Sequence, residues 1–234
     1  MTRYFAQDTP RADLERMMMS VPGFQRRGGG IMIFNRFHYS PEDVDCQYCL
    51  HYRRRSCQVS TCPYIGERLK SGAIGYRDLI LECFAHIPHA GLYKRIQAVD
   101  WSGPDQAVLH AVSGQLRSLF ADRVWDDAPP GYLAALYLLA SKERLWQPAL
   151  SALSHDSIDF SRIALHGFTI QEYPIFYSAR RLYDLKPPME VEDLAHRELV
   201  SDLDFLNIIY ATLIARYGKA VMGADKEAPE WAMC

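Results

Sequence analysis

LNIIYATLIARY, residues 206–217, decides the fold class, because Leu206, Ile209, Tyr210, Leu213, Ile214 and Tyr217 fall at i, i+3, i+4, i+7, i+8 and i+11. That spacing is one face of an α-helix, and a helix with such a face belongs to a core. The same three- and four-residue spacing recurs upstream in LYKRIQAV, QAVLHAVSGQLRSLF and GYLAALYLLASKERLW. Ser-Gly-Pro at 102–104 and Asp-Ala-Pro-Pro at 127–130 separate these segments. YIGERLKSG reads as a short helix ended near Gly72, and YRDLILECFAHI as another stopped by Pro88. The chain is therefore expected to be mainly α, with Leu133, Leu136, Leu206, Ile209 and Leu213 buried. Its parts are an N-terminal region at 1–88 containing little strand, a helical domain at 89–222, and a polar, proline-broken tail at 223–234. IDFSRIALHGFTIQEYPIFYSARRLYDL mixes β-branched and aromatic residues with Gly167 and Pro174, and reads as a helix pair with a short strand left open.

Ahead of the helices, Thr9-Pro10 opens a short helix, RRGGG at 26–30 makes a turn, and IMIF at 31–34 has strand character. Ser40-Pro41-Glu42-Asp43 carries a cap residue, a proline at the first helical position and an acidic residue behind it, which predicts a helical turn. Of the 234 residues 49% are hydrophobic, enough for a substantial core. The longest apolar run, YLAALYLLA at 132–140, stops at Ser141-Lys142, too short to span a bilayer and suited to a buried helix. The N-terminal MTRYFAQDTPRADLERMMM has charges where a signal peptide needs an apolar segment, so a cytoplasmic location is expected. Residues 1–77 hold twelve Lys/Arg against seven Asp/Glu, and 78–234 hold fourteen against twenty-one. The front is basic and the back acidic.

Four of the six cysteines stand in CQYCLHYRRRSCQVSTC, residues 46–62. In a reducing compartment such clustering favours metal over disulfides. Cys46, Cys49, Cys57 and Cys62 give C-x2-C-x7-C-x4-C, in which a C-x2-C turn offers two thiolates and a second pair closes a zinc tetrahedron. His51 is an alternative ligand, and an iron–sulfur cluster or a redox dithiol stays open. Four cysteine ligands leave no position for water, so the zinc is expected to be structural. Cys83, inside LILECF, reads as a small buried residue.

Arg53, Arg54 and Arg55 lie in the metal loop, with Tyr52, Arg68 and Lys70 nearby in sequence. Basic and aromatic residues on a small zinc module resemble zinc knuckles and ribbons that grip nucleic acid through phosphate contacts and stacking. The knuckle's own C-x2-C-x4-H-x4-C spacing is not met, and the arginines equally suit balancing the thiolates. Gly28–Gly30 form no nucleotide-binding motif. Glu82, His86 and His89 in ECFAHIPHAG are the candidate acid–base or metal trio, although Pro88 breaks the helix that would align the imidazoles. Asp126-Asp127 reads as a helix cap; the sequence alone does not assign partners to His155-Asp156 or His166.

The run CQYCLHYRRRSCQVSTCPYIGERLKSGAIGYRDLI resembles uncharacterised cysteine-rich accessory proteins of bacterial conjugative or phage-derived elements. The resemblance covers residues 46–80 and implies an accessory factor modulating nucleic-acid transactions or host defence, in the manner of an anti-CRISPR inhibitor. It implies no catalytic residues. The expectation is a non-enzymatic, zinc-stabilised binding or regulatory protein acting on nucleic acid or a nucleoprotein complex. The alternatives are an enzyme acting on nucleic acid or a phosphate ester through Glu82, His86 and His89, and a protein–protein adaptor using the acidic helical half.

Overall fold

The computed structural model describes residues 13, 16–17, 41–49, 62–120, 128–155, 157–163, 167–169 and 172–222. Asp13, Arg16 and Met17 are helical, as expected after Thr9-Pro10. The glycine turn at 26–30, the strand-like 31–34, His51, Tyr52, Arg53 to Arg55, Cys57, Asp126-Asp127, Asp156, His166 and the tail lie outside the described residues. The chain divides into two compact units, one drawing its described residues from Met1–Gly75 and the other being Tyr76–Met222.

In the first unit Pro41–Val44 forms a 3-10 turn, Cys46–Tyr48 a second, and Ile65–Lys70 helix α1. Val44 and Ile65 are buried, and α1 packs on the Pro41–Val44 turn. The Ser71 N–H bonds the Glu67 carbonyl, and the chain leaves the helix just before Gly72, where its stop was expected.

The second unit is built from α2 (Tyr76–Phe84), α3 (Ala90–Ala98), α4 (Gln106–Phe120), α5 (Pro130–Ala140), α6 (Glu143–Leu150), α7 (Glu172–Tyr183), α8 (Val191–Ala195) and α9 (Asp202–Tyr217), closed by a 3-10 turn at Gly218–Val221. Helix α5 is its centre. It packs on α7, α9, α4 and α6, and every residue from Gly131 to Leu139 is buried. A helix with no polar face has nowhere else to go, and each fully buried leucine contributes about 1.5–3 kcal/mol. Its approach to α7 requires Gly131, since a Cβ there would stand 2.6 Å from the Tyr183 carbonyl and 2.8 Å from that of Leu182.

Helix α9 is started by Ser201, whose Oγ accepts the Asp204 N–H at 3.2 Å. The expected face proves too narrow. Phe205, Asn207, Ile208 and Ala211 are buried as well, because α5 and α7 both contact this helix, while Leu206 is only half-buried. Leu133, Leu136, Ile209 and Leu213 are buried as expected. Among its described residues, the segment read as a helix pair contains a 3-10 turn at Phe160–Arg162 and a single α-helix, α7. Pro174 sits in the first turn of α7, where backbone N–H groups have no intrahelical acceptor and a missing donor costs little. Among the described residues there is no strand, only an isolated antiparallel bridge between Leu153 and Ile158. None of the described helices is long and apolar enough to cross a membrane.

Buried charges tie the unit together, Arg95 and Asp204 most deeply. The Arg95 guanidinium donates to the Leu194 carbonyl at 2.8 Å and to the Val200 carbonyl, pairs with Asp202 at 3.1 Å and lies 4.2 Å over the Phe205 ring. Asp204 pairs with Lys142 at 2.7 Å.

Candidate functional site

The thiol cluster starts from Asp45, whose carboxylate accepts the Gln47 N–H at 2.9 Å and caps the 3-10 turn at Cys46–Tyr48. The Cys49 N–H closes that turn on the Cys46 carbonyl at 3.0 Å. Both thiols of the C-x2-C pair thus come from one tight loop, as a metal knuckle needs. Cys49 and Cys62 are buried, Cys46 is half-buried, and all three are free thiols. Burial pushes the Cys46 thiol up, the Arg68 guanidinium pulls it back, and Cys62 and Cys49 add to the rise. Cys62 therefore shares one electrostatic neighbourhood with the C-x2-C pair despite the intervening loop. Among the described residues no three His, Cys, Asp or Glu side chains are drawn together tightly enough to hold a metal ion, and Cys57 and His51 lie outside them. Free thiols at Cys46, Cys49 and Cys62 are donors of the kind zinc takes.

Arg68 lies in α1, and its Nε is buried without a hydrogen-bond partner. Lys70, in the last turn of the same helix, is exposed. The two basic residues share a helix but differ in surroundings.

The trio in the second unit is not convergent enough to hold a metal. Glu82 is exposed on α2 and His86 is exposed beyond its end. His89 is the N-cap of α3, its Nδ1 accepting the Leu92 N–H at 3.0 Å. That bond ties up one imidazole nitrogen in starting a helix. Cys83 is buried, with its sulfur 3.2 Å from the Tyr217 hydroxyl, and burial pushes its thiol up.

A pocket with about 260 Å³ of volume lies between the α3–α4 loop and α9, lined among others by Asp100, Gly103, Asp105, Leu206, Asn207 and Tyr210. The loop is held rigidly. Trp101 donates its indole N–H to the Ile96 carbonyl at 2.8 Å and packs edge-on against Tyr210, and the Gly103 N–H bonds the Tyr210 hydroxyl at 2.8 Å. Gly103 adopts φ 121°, and a Cβ there would stand 3.2 Å from the Tyr76 ring. The Ser-Gly-Pro segment expected only to separate helices thus forms a pocket wall. The residue that sequence reasoning missed is Asn207, whose signal was one amide inside an otherwise apolar run.

No family model, no curated protein and no solved structure matches the chain.

Proposed function

We propose that this is a non-enzymatic binding protein in which Cys46, Cys49, Cys57 and Cys62 hold a structural zinc and Arg53, Arg54 and Arg55 meet an anionic partner, a nucleic acid or nucleoprotein complex. The observation that supports this reading is Arg68, a guanidinium with a buried, unpartnered Nε within electrostatic reach of Cys46. An unsatisfied buried donor costs about 1–3 kcal/mol, and a metal-bound thiolate is an acceptor that would remove that cost. When bound, the zinc would cross-link the loop ends and do no chemistry on a substrate, since four thiolates close its shell. Charge then separates the arginines by role. Four thiolates around a divalent ion leave a formal excess of two negative charges, and Arg68 offsets one of them. Residues 46–62 hold no Asp or Glu, so the three loop arginines exceed the two negative charges of the metal site and that stretch presents net positive charge to a partner.

Metal analysis of the purified protein should find one zinc per chain, and Cys49→Ala should lower both zinc content and melting temperature. With Arg53, Arg54 and Arg55 all changed to Gln, zinc should stay while nucleic-acid affinity falls and the log–log salt slope flattens by about two to three units. A zinc-loaded triple variant with wild-type affinity and slope would sink the reading.

A further inference from the structure

The polar groups of the pocket beside α9 are committed unevenly. Asn207 is only 5% exposed, yet its amide has a single hydrogen bond, from the Tyr137 hydroxyl to Oδ1 at 3.1 Å. That bond fixes which way the amide points. The Tyr137 oxygen accepts the Asp105 N–H at 3.3 Å, so its own proton goes to Asn207 Oδ1. Nδ2, with two donors and no protein acceptor, is left open on the pocket. Tyr210 is in a similar state. Its oxygen accepts from Gly103, its proton has no protein acceptor, and burial pushes the phenol up to about 12, so it stays protonated.

The rim has the opposite character. Asp100 and Asp105 are exposed carboxylates, Leu203 and Leu206 supply apolar surface, and no Lys or Arg lines the pocket. The positive end of α4 is already answered, because the Asp105 carboxylate accepts the Ala107 N–H at 2.8 Å. A helix end contributes roughly half a unit charge, against two full negative charges from the aspartates. The site is net negative at its mouth and donates hydrogen bonds at its floor.

We propose that this pocket binds a small organic cation that also carries a neutral hydrogen-bond acceptor: an ammonium or guanidinium held by Asp100 and Asp105, and a carboxamide-type oxygen held by Asn207 Nδ2 and Tyr210 Oη. The volume equals about nine waters at ~30 Å³ each, room for an amino-acid-sized molecule. A carboxylate in place of the neutral acceptor is disfavoured by the aspartates beside it. The inference is independent of the zinc reading.

The test titrates argininamide, arginine and agmatine into the full-length protein and follows the Asn207 side-chain amide resonance. Argininamide should shift it saturably, with arginine, whose carboxylate faces the aspartates, and agmatine, which has no neutral acceptor, at least about fivefold weaker. Asp100→Asn with Asp105→Asn should weaken argininamide at least about tenfold without unfolding the chain, since Asn caps a helix as well as Asp does. No shift with argininamide up to about 10 mM, far into the weak-binding range, overturns the proposal. Equal binding of all three ligands overturns it, as does binding indifferent to loss of the two aspartates.

Discussion

Arg95 shows what one buried side chain can hold. Its fork reaches carbonyls at the end of α8 and just before α9 while stacking on Phe205, so its removal orphans two backbone acceptors. Arg95→Met should cost about 2–5 kcal/mol, read as a lower urea midpoint at unchanged slope. Arg95→Lys should recover less than half, because an ammonium cannot span both carbonyls. Glu172 contributes a pH dependence. Hydrogen bonds from the Thr169 hydroxyl and N–H, aided by Arg144 and Lys142, hold its carboxyl below the usual glutamate range. A depressed carboxylate stabilises the fold above its unfolded pKa of about 4.3, and that contribution is lost as pH falls through the folded value. Thermal melts should therefore fall between pH 6 and pH 3, and less steeply in Glu172→Gln. The cysteine cluster stands out at this scale because few chemistries want four thiols so close, and what it holds is the matter of the zinc measurement. Asn207 was not, since its meaning depends on Tyr137 and Asp105, which the sequence places far away.

At the scale of elements, Gly131 sets two effects against each other. Alanine favours a helix over glycine by about 1 kcal/mol, but the new Cβ would press on two α7 backbone oxygens that cannot rotate aside. Overpacking costs about 1–3 kcal/mol, so Gly131→Ala should be net destabilising, with a measurable fall in melting temperature. Most helices were readable in advance because three- and four-residue spacing and Gly or Pro breaks are local signals. The spacing failed in two ways. In α9 it marked one face, when contacts with α5 and α7 bury most of the circumference. Within 157–188 aromatic side chains pack as a cluster, with Phe160 set edge-on against Phe176 and Tyr183, and a cluster has no period to read.

For the whole molecule, the separation into two units yields its own expectation. Tyr76–Met222 holds α5 with all the helices that bury it, so a fragment of those residues should fold alone, with a helical far-ultraviolet spectrum and one cooperative thermal transition. A fragment lacking a cooperative transition would mean that the residues before Tyr76 complete its core. Helix α5 has a further consequence in time. Wrapped on all sides, its amides have no local route to solvent, so their exchange with deuterium should wait for global unfolding. The exposed ends of α3 and α4 should exchange by fraying. The slowest amides in the protein should be those of Leu133 to Leu139, and their rate would report the full unfolding free energy.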